Sequence, residues 1–300
     1  MAQAAFSGDA AAGHSVRPEQ GLAGADRRLV ASADLLERQV VLGPCRLLDD
    51  ETVARVRALA GDLALQLAGA DRALIDPVRD MLAANRAILT HCHALAVEWR
   101  LAMTLTTRRG IDPVLPPLVR RRLDAGAVGD DVAAVTTALL AAQARLNEGL
   151  RRMRLPLTEL PADLQNLAHA IFGAALAAAA QPTRPQPHAA PDEGHGRLAL
   201  LHRVVAGLGD DMAMALRVDD AGVSLFFTAL AIASGHPRES VVLASGEDDP
   251  IRLALLLRAA GISRDEAALQ LLALRPDADP ALIDAARDAR FAESLLGATR

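Results

Sequence analysis

The sequence contains no lysine and no tyrosine, and aromatic residues make up only 2% of its 300 residues. Without lysine, every mechanism that needs a lysine Schiff base or a phosphate-loop lysine is excluded. Aromatic and β-branched residues favour strands, and their scarcity leaves a hydrophobic share of 51% that is mostly alanine and leucine. Because alanine and leucine favour helices, the composition predicts an all-α protein with ample apolar material for a core.

Cysteine is scarce as well, since Cys45 and Cys92 are the only two. Two cysteines do not make a disulfide framework, and the first residues lack the basic and apolar regions of a signal peptide. The longest apolar stretches, "LAHAIFGAALAAAA" and "GVSLFFTALAIASG", have 14 residues each. A membrane-spanning helix needs roughly 20. We therefore expect a cytoplasmic protein without a membrane span.

All 32 basic residues are arginines, which together with abundant alanine is typical of a GC-rich bacterial genome. Residues 1–99 carry a net charge of −3, residues 100–154 of +5 and residues 155–300 of −7. The charge is uneven, but the chain as a whole is acidic. The balance therefore does not favour a nucleic-acid partner.

Composition also indicates the domain organisation. Residues 1–28 lack apolar periodicity and are predicted to form a mobile N-terminal tail. The segment "QPTRPQPHAAPDEGHG", 181–196, contains four prolines and is predicted to be a linker or a long exposed loop. These segments delimit an N-terminal helical region, 29–180, and a C-terminal helical region, 197–300.

Helix starts can be located because aspartate, serine and proline precede most apolar-periodic runs. The capping box at Ser263–Glu266 is the clearest, and Asp76 with Pro77 predicts one long helix through about Thr107. Other predicted helices begin at Asp49 or Asp50, at Asp130 or Asp131, after Pro161, and at Asp249 and Asp279. Short helices with short connections predict antiparallel helical hairpins, packed as a bundle or a short HEAT-like solenoid.

The sequence lacks the familiar motifs of catalysis and cofactor binding. No glycine-rich phosphate loop, dinucleotide fingerprint, GxSxG, HExxH or CxxC is found. Five aspartate pairs occur, but none has the DDxxD spacing of a magnesium site, and most precede a helix, where aspartate caps free N–H groups. The sequence therefore predicts no catalytic residue, no metal site and no cofactor, although an enzyme site assembled from scattered residues leaves no such signal.

The stretch "LTHCHALAVEWRLAM", 89–103, gathers two histidines, a cysteine and the only tryptophan. On one helix, Met81, Ile88, Cys92, Leu95 and Trp99 form an apolar stripe, which predicts that Cys92 is buried. Residues two positions apart in sequence are separated by about 200° around a helix, so the histidines at 91 and 93 cannot share a metal. His91 lies on a face of small residues that a neighbouring helix can approach closely.

A phosphoacceptor histidine needs an exposed helical face with a nearby cation. His91 and His202 are the candidates for this role, but neither has a basic residue one turn later. The match to a phosphoacceptor is therefore poor for both, and packing is the simpler interpretation of His91.

Arginine clusters give the segment 100–154 its positive charge. They include Arg120, Arg121, Arg122, Arg151, Arg152 and Arg154. Such clusters are usually a solvated helix face, and the alternative is docking on an acidic partner protein, on a phosphate, or on the chain's own acidic C-terminal half. Stacking aromatics are almost absent here, which argues against single-stranded nucleic acid.

Several motifs resemble a bacterial family known as domain of unknown function 2336. "RLALLHRVVAGLG", "AGVSLFFTALAIASGHPRESVVLAS" and "RLALLLRAAGISRDEAALQLLALRPD" are similar to its C-terminal part. "IDPVLPPLVRRRLDAG" and "LLAAQARLNEGLRRMRLPLTELPADL" are similar to its middle part. The resemblance spans roughly residues 30 to 290 and implies an all-α protein with HEAT-like hairpins. It implies no activity and no catalytic residue.

The function expected from these observations is a non-catalytic regulatory module that binds another protein. The alternative is a signalling phosphotransfer accessory that uses a helical histidine.

Overall fold

The computed structural model describes residues 50–125, 130–179 and 196–286, with the single positions 27 and 296. Within these residues it contains thirteen α-helices, two short 3-10 helices and no β-strand. The predicted all-α fold is confirmed. Apart from Arg27 and Gly196, the predicted tail and linker lie outside the described residues, and so does Cys45.

The helices differ widely in length. In chain order they are α1 (Asp50–Ala68), α2 (Arg72–Ala83), α3 (Arg86–Arg109), α4 (Pro117–Asp124), α5 (Asp130–Arg151), α6 (Ala162–Ala178), α7 (Arg197–Ala206), α8 (Met212–Ala215), α9 (Val218–Ser234), α10 (Arg238–Ala244), α11 (Ile251–Ala259), α12 (Arg264–Leu274) and α13 (Ala281–Ala285). The 3-10 helices are Leu157–Glu159 and Gly209–Asp211.

Two hydrophobic clusters form the core. The first contains side chains of α1, α2, α6, the first half of α3 and the end of α5. The second contains side chains of the second half of α3, α4, the first half of α5 and all helices from α7 onward. Helices α3 and α5 therefore contribute to both clusters, and both helices precede the predicted linker. The domain boundaries and the choice between bundle and solenoid stay predictions.

Side-chain caps start several helices where the sequence predicts them. The Ser263 hydroxyl accepts a hydrogen bond from the Glu266 amide (3.3 Å), at the start of α12. The carboxylates of Asp249 and Asp279 each accept from the amide two residues later, at the starts of α11 and α13. Each cap satisfies an N–H group that has no partner inside its helix.

The predicted helix from Asp76 through Thr107 is wrong. Asp71 caps α2 by accepting from the Ala73 amide, so Pro77 lies inside that helix instead of at its start. Asn85 then caps α3 by accepting from two amides of its first turn. A second cap at Asn85 thus divides the apolar run. Met81 is exposed on α2 and does not belong to the stripe.

The remaining stripe on α3 is buried as predicted. Ile88, Cys92 and Leu95 are all buried in the first hydrophobic cluster, and Trp99 packs against it. Burial raises the pKa of the Cys92 thiol to about 12. Because the thiolate is the reactive form of cysteine, this residue is chemically inert in the folded protein.

No single helix among the described residues has both the length and the hydropathy of a membrane span. Helices α9 and α10 reach that hydropathy only as a pair, and they are bent by 114° at the break between them.

Candidate functional site

His91 lies between α3 and α10, and its side chain is only 4% exposed. Its Nδ1 atom is 3.5 Å from a carboxylate oxygen of Glu239, in the first turn of α10. Helix α10 therefore covers His91, but the small-residue face is buried only in part, because Ala84 and Ala87 are exposed. In this arrangement the imidazole is not on the exposed face that a phosphoacceptor needs.

His202 has the opposite environment, because its side chain is exposed on α7. The phosphoacceptor role of His202 stays a prediction. His91 and His202 lie on different helices, and the structure shows no contact between them.

A buried ionic cluster adjoins His91. Glu98, one residue before Trp99 on α3, accepts hydrogen bonds from Arg197, the first residue of α7, and from Ser224 of α9 (2.6 Å). Arg238 of α10 lies 2.9 Å from the same carboxylate oxygen, and Gln143 of α5 accepts from the Arg197 guanidinium (2.7 Å). Five helices thus meet at this cluster.

Glu98 remains charged despite its burial. Burial alone would raise the pKa of its carboxyl, but the charges of Arg197 and Arg238 and the hydrogen bonds from Arg238 and Ser224 hold that pKa well below its usual range. Two further carboxylates lie near these guanidiniums, since Glu159 interacts electrostatically with Arg197 and Glu239 with Arg238. The side chains of Glu98 and Arg197 are buried, so the cluster joins helices inside the fold.

The arginines of α4 are mostly engaged with the C-terminal half of the chain. Arg121 lies 3.7 Å from the Asp211 carboxylate and contacts Met214. Arg122 donates to the Gly207 carbonyl (3.3 Å), whereas Arg120 is exposed. Arg109, at the end of α3, forms a similar pair with Asp219. Acidic residues of the same chain therefore neutralise part of the positive charge of the segment 100–154.

A different surface, the turn that ends α5, carries Arg151, Arg152 and Arg154. All four residues of this turn, Arg151–Arg154, have exposed side chains, including Met153. Glu148 pairs with both Arg151 (3.0 Å) and Arg152 (2.6 Å). Three guanidiniums and one carboxylate give this surface a net positive charge. We call it the arginine turn.

The backbone of the arginine turn forms a Schellman motif, which normally ends a helix with glycine. The Arg154 amide donates to the Gly149 carbonyl (2.8 Å) and the Met153 amide donates to the Leu150 carbonyl (3.0 Å). Met153 has φ 55°, in the left-handed region. It is the only non-glycine residue with positive φ in the part of the chain that the structure describes.

Helix α1 holds the arginine turn in place from both sides. Arg55 donates to the Leu150 carbonyl (2.6 Å) and its guanidinium lies over the Trp99 ring, 3.5 Å from the centroid. On the other side, Asp62 accepts from the Leu155 amide (2.9 Å), and Gln66 donates to the Leu155 carbonyl (2.9 Å). The turn is therefore exposed in its side chains and fixed in its backbone.

Replacing Met153 by glycine is expected to raise the free energy of unfolding by about 1 kcal/mol, because glycine adopts the left-handed conformation without the steric penalty of a Cβ atom. Urea unfolding followed by circular dichroism measures the change. Met81→Gly is the matched control, since Met81 is 37% exposed and Met153 is 38% exposed. Met81 lies in a regular helix, so the control is expected to lose about 1 kcal/mol. Equal effects of the two substitutions would contradict the conformational argument.

The described residues offer no metal site. Among the residues that the structure describes, no three histidine, cysteine, aspartate or glutamate side chains are grouped so that they could hold a metal ion. Sequence patterns did not identify Glu98, Arg197 and Arg238 as partners, because they lie far apart in the chain and each has the appearance of an ordinary helix-surface charge.

Comparison of the chain with protein-family models, with curated proteins and with solved structures found no match.

Proposed function

We propose that this protein is a non-catalytic regulatory module that binds an acidic surface of another protein through the arginine turn. The observation that carries the proposal is the turn itself: exposed arginines beside a methionine whose backbone is in a conformation that favours glycine. The family resemblance to domain of unknown function 2336 stays a separate prediction.

The chemistry of the turn is that of a protein contact. Arginine and methionine are both enriched at protein interfaces relative to the rest of a protein surface. A guanidinium binds a carboxylate through two parallel hydrogen bonds, and three of them project from four consecutive residues, Arg151–Arg154. Glu148 neutralises only part of their charge. An aspartate- or glutamate-rich surface is the partner that complements this arrangement.

The rigidity of the turn also supports binding. Ordering a flexible loop opposes association, and a loop that is already fixed avoids much of that entropy loss. The hydrogen bonds from Arg55, Asp62 and Gln66 fix the backbone on both sides of the turn. Strained residues such as Met153 persist where the surrounding structure enforces them, and they concentrate at functional sites.

Charge reversal of the arginine turn tests the proposal. Arg151→Glu, Arg152→Glu and Arg154→Glu are combined in one variant. A matched control combines Arg72→Glu, Arg86→Glu and Arg203→Glu, which change the same charge at exposed positions elsewhere. Each of the three chains is used to capture proteins from a cell lysate. A protein captured by the wild-type chain and by the control, but not by the turn variant, is then purified. Its affinities for the wild-type chain, the turn variant and the control are measured.

The turn variant is expected to bind the purified partner at least 30-fold more weakly than the wild-type chain, and wild-type binding is expected to weaken as salt is raised. The control is expected to stay within threefold. The proposal is wrong if the turn variant and the control capture the same proteins with the same affinities.

A further inference from the structure

A cleft of about 350 Å³ lies between the second half of α3 and the segments that follow α10 and α12. Its volume is within the range of pockets that enclose small ligands. Val97, Leu101 and Leu274 provide apolar surface within it, and most of its other side chains are charged. The cleft contains none of the residues of the arginine turn.

Helix α3 gives the cleft a positively charged wall. Arg100, Thr104 and Arg108 line it and are spaced four residues apart, so they follow one another along the same face of the helix. The Thr104 hydroxyl donates to the Arg100 carbonyl (2.9 Å), which leaves its oxygen free to accept. No acidic residue of α3 lines the cleft.

The opposite wall carries carboxylates that are held by arginines. Arg275 donates to the Glu247 carbonyl and to the Asp277 carboxylate (3.0 Å), and Arg252 donates to the Glu247 carboxylate (3.0 Å). Asp248 also lines this wall. Glu247 is only 10% exposed and its carboxylate is paired with Arg252, so the acceptors that hydroxyl or amino groups can reach are the exposed carboxylates of Asp248 and Asp277.

We propose that this cleft binds a phosphorylated, hydroxyl-bearing metabolite, such as a sugar phosphate or a nucleotide. The phosphate binds Arg100 and Arg108, because guanidiniums bind phosphate oxygens through charge-assisted, bidentate hydrogen bonds. The hydroxyl groups donate to the carboxylates of the opposite wall, as ribose hydroxyls do to acidic residues in nucleotide sites. A ligand that carries phosphate and hydroxyl groups at opposite ends complements both walls.

Calorimetric titration of the full chain tests the site. The probes are glucose 6-phosphate, ribose 5-phosphate and adenosine 5′-monophosphate, each beside its unphosphorylated parent, with inorganic phosphate as a further probe. At least one phosphorylated probe is expected to bind ten times more tightly than its parent and than inorganic phosphate.

Two variants locate the binding. Thr104→Phe fills the cleft from an exposed position and is expected to abolish binding, whereas Thr107→Phe, exposed on the same helix outside the cleft, retains it. Arg108→Gln is expected to weaken binding at least tenfold, and Arg109→Gln less than twofold, because Arg109 pairs with Asp219 outside the cleft.

Circular dichroism of each variant confirms that it is folded before its affinity is compared. The inference is overturned if no phosphorylated probe binds with a dissociation constant below about 1 mM, or if Thr104→Phe binds as tightly as Thr107→Phe. Either result leaves the proposal for the arginine turn unaffected, because the two sites share no residue.

Discussion

Replacing Glu98 by glutamine is expected to lower the free energy of unfolding by about 3–5 kcal/mol, because removal of one partner from a buried ion pair leaves the other charge uncompensated. In this chain two guanidiniums, those of Arg197 and Arg238, contact the same carboxylate oxygen of Glu98. Glutamine has nearly the same shape as glutamate, so the loss reports the charge and not a cavity.

Urea unfolding measures the effect, and Glu51→Gln is the control. Glu51 is 55% exposed and pairs with Arg55 one turn away on α1, so its loss is expected to be about 0.5 kcal/mol. A loss below about 1 kcal/mol for Glu98→Gln would show that the ionic cluster does not hold α7 and α10 against α3.

The same substitution is expected to change how stability depends on pH. The pKa of Glu98 is lower in the folded chain than in the unfolded chain. The contribution of ionised Glu98 to the free energy of unfolding is therefore fully present above the unfolded-state pKa of about 4.3, and it is lost as the pH falls below that pKa. Unfolding measured at a series of acidic pH values is expected to show a shallower decline for Glu98→Gln than for the wild-type chain.

Replacing Gly222 by alanine is expected to lower the free energy of unfolding by about 3 kcal/mol, because a side chain there is strained in two ways. Gly222 has φ 68° and ψ 170°, a conformation open to glycine almost alone, and it breaks α9. An added Cβ atom would also lie 3.1 Å from two side-chain carbons of Pro116.

Gly173→Ala is the matched control for Gly222→Ala. Gly173 lies in α6, where an added Cβ atom has no neighbour within 4 Å. Alanine there is expected to raise stability by about 1 kcal/mol, since alanine is the better helix former. Thermal unfolding of both variants measures the difference. Equal stabilities would contradict the structural account of the break in α9.

Local chemistry explains which parts of the fold could be predicted from the sequence. The caps at Ser263, Asp249 and Asp279 lie where the sequence pattern predicts them, because a cap depends on residues two or three positions away. The same logic misplaced the start of α2. The Asp76–Pro77 pair is a good start signal, but Asp71 provides an earlier cap and the helix continues through the proline.

Long-range contacts explain what could not be predicted. Glu98 and Arg197 are separated by 99 residues, and no periodicity relates their positions. The exposed arginines of α4 and of the arginine turn are indistinguishable in sequence, yet Arg121 pairs with Asp211 whereas Arg154 projects from a strained turn. Whether an arginine is paired within the fold or can bind a partner depends on how helices that are distant in the sequence pack together.

Site-specific photocrosslinking in cells tests the central claim most directly. A benzoylphenylalanine at position 153, in the arginine turn, is predicted to yield one discrete crosslinked protein. The adduct is predicted to disappear when Arg151, Arg152 and Arg154 are replaced by glutamate. The same crosslinker at position 269, where Leu269 is 61% exposed on α12, is predicted to yield no such adduct. No adduct from position 153, or one that persists after charge reversal, would contradict binding through the arginine turn.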